Sequence, residues 1–222
     1  MDDIKKFPLQ LPVNGGFLSG EIVLPNDAKA LIIFSHGSGS SRFSQRNNFV
    51  SQLLHDRGIG TLLFDLLTEE EDKLYSNRFN IDLLSDRLIA VTKYLKGRHP
   101  VSDIPFGYFG ASTGAASALQ AAVALPNHIN AVVSRGGRPD LAMEIIPMVT
   151  APTLLVVGEK DADVLQLNRN VFNNLKCVKK LEIVKGATHL FTEKGTLGTA
   201  AELAADWFEK YLVRKKKFGV NE

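Results

Sequence analysis

The chain has 222 residues, 45% of them hydrophobic and 23% charged, enough to bury one good core and to fold as a single domain. A net charge of +2 gives no electrostatic footprint for nucleic acid, and a lone cysteine, Cys177, excludes an internal disulfide and a cysteine-based zinc site. No apolar run approaches the roughly 18 residues of a membrane span, and Met1-Asp2-Asp3-Ile4 opens without a basic-then-apolar leader, so a soluble, cytoplasmic protein is expected.

In chain order, residues 5–12 and 17–24 read as two edge strands about the Asn14-Gly15-Gly16 turn, and Pro8 and Pro12 suit an edge. Ala30–Ser35 is an unbroken apolar run, the pattern of a strand covered on both faces, and it ends in the loop His36-Gly37-Ser38-Gly39-Ser40-Ser41-Arg42. A helix over 46–57 is expected to turn Phe49, Leu53 and Leu54 inward and to lead through Gly58 into a strand over 61–65. Residues 66–79 form a polar excursion whose acidic run, Glu69-Glu70-Glu71-Asp72, reads as solvated. Helix 81–97 carries Leu84, Leu88, Val91 and Leu95 on one stripe.

A strand over 105–109 then runs into Gly110-Ala111-Ser112-Thr113-Gly114 and an Ala-rich helix reaching about Leu125. Further strands are predicted over 131–134, 153–158 and 181–184, with a helix to about Leu175 and a closing helix over 199–213 that points Leu203, Trp207, Phe208, Tyr211 and Leu212 inward. The basic run Arg214-Lys215-Lys216-Lys217 reads as a solvated helix end, and Cys177 as a small buried hydrophobe. Strands alternating with helices predict an α/β fold: a mostly parallel sheet covered by helices on both faces, with ligands bound beyond the carboxyl ends of the strands. Residues 1–222 read as one such domain, without a linker, a repeat or a separate cap.

The strand–Gly-x-Ser-x-Gly–helix stretch is the nucleophile-elbow pattern, in which small residues on either side make room for a turn that lifts the serine clear of the sheet. A serine hydroxyl needs a base, and the base needs an orienting group. Of the five histidines, His55 falls within a helix and His99 and His128 lie at the amino-terminal side of strands, where all three read as surface residues. His36 precedes the serine and braces its own Gly-rich loop, whereas His189 follows the last strand and satisfies the chain order Ser, Asp, His. Asp161 is the candidate acid, Asp140 its rival, and Asp163 a cap of the following helix. Oxyanion stabilisation is expected from the backbone N–H groups of Thr113 and Ser38.

On these residues the sequence resembles the α/β-hydrolase superfamily and, within it, the cap-less dienelactone hydrolase-like proteins. The markers are the His36–Arg42 loop, Asp65-Leu66-Leu67-Thr68, Gly110-Ala111-Ser112-Thr113-Gly114, Ser134-Arg135-Gly136-Gly137-Arg138-Pro139-Asp140-Leu141 and Thr188-His189-Leu190-Phe191. The resemblance implies an eight-stranded sheet, a Ser/Asp/His triad and hydrolysis of a small ester, thioester or lactone with no cofactor and no metal. Dienelactone hydrolases proper carry cysteine at the elbow, so the family name is not read as the substrate. An acyltransferase or C–C hydrolase on the same triad, or a non-catalytic receptor on the same fold, are the competing functions. The expected partner is a small-molecule substrate rather than nucleic acid or a membrane, and a homodimer is left open. Arg42, Arg46, Arg135 and Arg138 flank the predicted catalytic end. Arg42 and Arg135 are candidate contacts to a substrate anion, and ion pairs with Asp65, Asp140 and the acidic excursion are the simpler account of all four.

Overall fold

Unbroken apolar runs become the middle strands of one sheet in the computed structural model, which describes residues 4–213. The hairpin comes first: β1 (Lys5–Val13) and β2 (Gly16–Leu24) turn through Gly15 at φ +93°, a backbone region glycine enters without steric cost. β3 (Leu31–Ser35), α1 (Gln45–Asp56), β4 (Gly60–Phe64) and the short α2 (Glu69–Asp72) follow. After a 3₁₀ turn over Tyr75–Phe79 come α3 (Ile81–Lys96), β5 (Phe106–Ala111), α4 (Gly114–Ala124) and β6 (Ile129–Arg135). A kinked 3₁₀ stretch, Pro139–Met148, leads to β7 (Thr153–Gly158), α5 (Ala162–Asn174), β8 (Lys179–Val184), α6 (Thr196–Phe208) and a π-helical turn over Glu209–Val213. The basic run at Arg214–Lys217 lies outside the described residues.

The eight strands are ordered β1-β2-β4-β3-β5-β6-β7-β8, antiparallel at β1–β2 and β2–β4 and parallel from β4 onward. From β3 the chain proceeds to one side of the sheet, and from β5 to the other. That reversal opens a crevice at the carboxyl ends of these two neighbours, where such folds bind ligands. Each face has its own core. On one, Leu84, Leu88, Val91 and Leu95 of α3 meet Leu119 of α4 and Val171 of α5; on the other, Val50 and Leu54 of α1 meet Ala201, Ala204 and Phe208 of α6. Phe208 is fully buried and a Cβ on Gly107 would come within 2.9 Å of its ring, so β5 carries glycine where α6 presses on the sheet.

Two local readings differ from the structure. The inward face of α1 is Asn47, Val50, Ser51, Leu54 and His55, while Phe49 is 48% exposed. His55 is buried because its Nε2 finds the Thr61 hydroxyl at 2.8 Å, a partner that permits a polar ring under the helix. The acidic run is only partly solvated. Glu71 closes a capping box with Thr68 and pairs with the buried Arg87, which also donates to the Asn14 carbonyl of the hairpin turn at 2.7 Å.

Candidate active site

Ser112 stands at the end of β5 with φ +52°, one of the few non-glycine residues in the left-handed region, a conformation that costs on the order of 1–2 kcal/mol. The surrounding packing enforces it. A Cβ on Gly110 would lie 2.5 Å from the Ala115 Cα, and one on Gly114 would lie 2.2 Å from the Ser35 carbonyl oxygen, so both small residues of the elbow are there for space. Gly37 is equally confined: its Cβ would come within 2.9 Å of the Ser112 Cβ. The loop after β3 therefore lies directly against the serine.

His189 and Asp161 come from the loops after β8 and β7. The Asp161 carboxylate accepts the His189 Nδ1–H at 2.7 Å, which leaves the other ring nitrogen, Nε2, with its lone pair. Asp161 occupies the N-cap position of α5, but its side chain makes no cap hydrogen bond; the carboxylate is committed to the histidine, and Asp163 sits within the first turn. Asp140, the rival acid, is held by both arms of the Arg138 guanidinium at 2.9 Å each. Ser112, His189, Ser38 and Arg135 line one cavity of about 270 Å³. No hydrogen bond joins Ser112 to His189 in the structure, an arrangement common before substrate tightens such a site.

His36 braces its loop. Its Nδ1–H meets the Gly37 carbonyl at 3.0 Å, and its Nε2 accepts the Leu66 N–H at 3.1 Å. Burial holds its pKa below the usual histidine range, which keeps the ring neutral as that pattern requires. The Ser38 N–H donates to the Thr113 hydroxyl at 2.9 Å, tying the β3 loop to the elbow through the two residues expected at the oxyanion.

The arginines divide. Arg42 donates its backbone N–H to Asp65 Oδ1 at 2.9 Å and pairs with the same carboxylate through its guanidinium. Arg138 pairs with Asp140. Arg135 is different: it is only 6% exposed, and among the described residues its Nε has no hydrogen-bond partner and no carboxylate pairs with it. Its guanidinium makes one long hydrogen bond, 3.4 Å to Asn47 Oδ1, and its Cζ lies 5.6 Å from the Phe191 ring centroid. Burial, aided by the charge of Arg46, pushes its pKa down to about 10. The aromatic contact contributes ~2 kcal/mol at most, against several kcal/mol for burying an unpaired ion.

Three contributors were not visible in the sequence. Glu193 accepts both the Thr188 N–H at 3.0 Å and the Thr188 hydroxyl at 2.7 Å, and so fixes the loop that carries His189. The Thr113 hydroxyl and Asn47 act across distant loops, and only the Thr188-to-Glu193 spacing offered a local signal, a threonine with a carboxylate close ahead. Among the described residues no cluster of three or more His, Cys, Asp or Glu could hold a metal ion, and no helix is long and apolar enough to cross a membrane. A separate cavity of about 750 Å³, bordered by Gly20, Gln52 and His55, contains none of Ser112, Asp161 and His189.

A mostly parallel sheet with a left-handed serine at a strand–helix elbow and a His–Asp pair on later loops defines the α/β-hydrolase class. A model of the dienelactone hydrolase family matches residues 20–213, and the chain belongs to that family. A dienelactone hydrolase from Anabaena variabilis shares its structure at TM-score 0.91 and 44% identity, covering 94% of this chain and 99% of that one. Est1E from Butyrivibrio proteoclasticus, 17% identical at TM-score 0.78 over 91% of this chain and 98% of its own, shares the fold. Two Mycobacterium tuberculosis proteins, each described as "Putative phosphoribosyl transferase", are 49% identical over 195 residues, 88% of this chain. The chain spans only 44% of the length of those relatives.

Proposed function

We propose that this protein is a serine hydrolase that cleaves a small ester, thioester or lactone through an acyl-enzyme on Ser112. The observation that carries this reading is the strained Ser112, at φ +52°, sharing a cavity with a histidine whose Nδ1 is bonded to a carboxylate at 2.7 Å. The Ser112 hydroxyl attacks the acyl carbon while His189 Nε2 takes its proton. The tetrahedral oxyanion draws on the N–H groups of Thr113 and Ser38, the latter released when the Thr113 hydroxyl rotates away. Collapse expels the leaving group, which receives the proton from His189. Water, deprotonated by the same ring, then attacks the acyl-enzyme, and the carboxylic acid departs as Ser112 regains its hydrogen. Asp161 keeps the proton on Nδ1 throughout and stabilises the imidazolium.

The phosphoribosyl transferase description belongs to longer proteins, and nothing at this site favours transfer of a ribosyl group. Labelling with a fluorophosphonate followed by peptide mass spectrometry tests the assignment. The adduct should map to Ser112 and be absent from Ser112→Ala. Asp161→Asn should slow turnover of 4-nitrophenyl acetate by roughly 10²–10⁴-fold, the range seen when a triad histidine loses its tautomer. An adduct elsewhere, or substantial turnover by Ser112→Ala, sinks the reading.

A further inference from the structure

We propose that Asn168, a buried residue of α5, is a positioning residue for the reaction: it tethers the loop after β6, which sets Ser112 and His189 against each other. The proposal rests on the hydrolase reading for the reaction it serves. Residues 136–138 form that loop, and the main chain of the nucleophile is bound on either side of it. The Ser112 N–H donates to the Arg135 carbonyl at 3.4 Å, and the Ser112 carbonyl accepts the Arg138 N–H at 2.9 Å. A left-handed residue other than glycine persists only where its surroundings over-determine it, and these bonds do so from outside the elbow. The same loop meets the base. A Cβ on Gly136, itself at φ +51°, would lie 3.0 Å from the His189 carbonyl oxygen and 3.8 Å from its Nδ1. A Cβ on Gly137 would lie 2.6 Å from the Ala115 Cβ of the elbow helix, so the loop is wedged between nucleophile and base.

Asn168 fixes the middle of this loop. It is fully buried, and its amide donates to the Gly137 carbonyl at 2.9 Å and to the Val164 carbonyl, one turn back, at 2.8 Å. Both partners are carbonyl oxygens, so the NH2 faces them and the orientation of the amide is set. Its Oδ1 has no hydrogen-bond partner among the described residues. Packing alone gives no reason to keep an amide that leaves one buried oxygen orphaned; the bond to Gly137 does. The helix that carries it also begins at the acid, since Asp161 is the N-cap of α5. One rigid element thus runs from the carboxylate that bonds His189 to the amide that holds the Ser112 loop, about two turns further on, and sets the spacing of all three reacting groups.

The test pairs Asn168→Leu, which removes both donors at similar size, with Val171→Ala, which unpacks the same helix without touching the loop. On 4-nitrophenyl acetate, Asn168→Leu should lose about 10- to 100-fold in kcat with KM within about twofold, because the reacting groups shift while binding does not. Val171→Ala should melt lower than wild type yet keep its kcat at temperatures where it is folded. A merely structural asparagine gives another pattern: Asn168→Leu melts lower and its kcat is unchanged, which overturns the proposal. An equal loss of kcat in Val171→Ala, or a loss that falls on KM, overturns it too. If Asn168→Leu does not fold, Asn168→Ser takes its place. A serine hydroxyl can still bond the Val164 carbonyl but is too short to reach Gly137. The same split between kcat and KM is then expected, and an unchanged kcat is equally fatal.

Failure of the hydrolase reading looks different. In that case wild type takes no fluorophosphonate at Ser112 and turns over no ester, and amide exchange judges the tether instead. The Gly136 and Arg138 amides, bonded to the Val156 and Ser112 carbonyls, should exchange at least about tenfold faster in Asn168→Leu than in Val171→Ala. That result keeps the tether between α5 and the loop and discards the reaction assigned to it. Equal exchange in the two variants overturns the tether itself.

Discussion

Space, more than flexibility, decides which residues stand around Ser112. Gly37 illustrates it, for its backbone has no need of the left-handed region, yet a Cβ there would lie 2.9 Å from Ser112 Cβ and 3.2 Å from the Ala111 carbonyl oxygen. Gly37→Ala must therefore push the serine, and a displacement of even 1 Å can cost about 10²-fold in rate. We expect a comparable fall in kcat for 4-nitrophenyl acetate with an unchanged far-ultraviolet spectrum. Near-normal kcat would mean that the β3 loop yields instead. That Ser112, His189 and Asp161 lie at one end of the sheet was legible because each follows a strand that the apolar pattern reveals. Arg42 and Arg135 were both singled out, but which of them is ion-paired was not legible, because which acidic side chain reaches which arginine depends on contacts far apart in sequence, such as Arg42 with Asp65 and Arg87 with Glu71.

At the scale of elements, the inner strands β3 to β7 were read within a residue or two because each is apolar on both faces, whereas the face of α1 was misread. Its pattern offered Phe49, the largest apolar side chain, but the helix buries Asn47, Ser51 and His55 beside Val50 and Leu54. Polar residues with buried partners are invisible to a hydropathy argument, and short 3₁₀ segments such as Tyr75–Phe79 and Pro139–Met148 have too few turns to show a period. The misread face has a measurable consequence. Burial pushes the pKa of His55 down to about 4, with Asp56 opposing and Lys6 assisting. Above the unfolded value of about 6.5 both states are neutral and the packing is fully stabilising. As pH falls toward 4, the unfolded chain takes a proton that the folded one refuses, so stability is lost across that window. The full shift corresponds to about 3 kcal/mol, reduced toward about 2 because water still reaches part of the ring. Urea unfolding at neutral pH and near the lower end of the window should show that loss in wild type and a smaller one in His55→Gln, which can still bond Thr61 but cannot titrate there. His36 shifts in the same direction, so the comparison is between the two proteins rather than between two pH values. Equal acid sensitivity would mean that His55 is not the group responsible.

At the scale of the whole molecule, the sheet order and the brevity of its connections set the size of what can react. The stretch from Asp65 to Asn80, whose regular structure is a four-residue helix and a five-residue 3₁₀ turn, borders a separate cavity of about 220 Å³ on the far side of the His36–Ser41 loop. It is anchored where it stands by Thr68–Glu71, Arg78–Asp72 and Glu71–Arg87, which hold it to itself and to α3. The cavity at Ser112 measures about 270 Å³, just under the ~300–1,000 Å³ typical of sites that enclose drug-sized ligands. Its lining is largely polar, with Ser38, Ser40, Ser44, Arg46, Asn47 and Arg135 beside Ser112 and His189, and Leu190 and Ala111 the apolar members. A long acyl chain would find neither volume nor apolar surface there, and each methylene left in water forgoes ~0.8 kcal/mol of transfer energy. We therefore expect kcat/KM on 4-nitrophenyl acyl esters to peak at the short end of the series and to fall steeply beyond about eight carbons, where the chain outgrows a cavity of this class. Emulsified long-chain triglycerides should not be hydrolysed faster than dissolved monomers, since interfacial activation requires an apolar lid that swings over the serine, and the stretch that exposes Leu74 and Tyr75 is ion-paired and lines no part of the Ser112 cavity. A rate that climbs to twelve-carbon esters, or a jump in activity at an oil surface, would show that the cavity at Ser112 opens far beyond this volume.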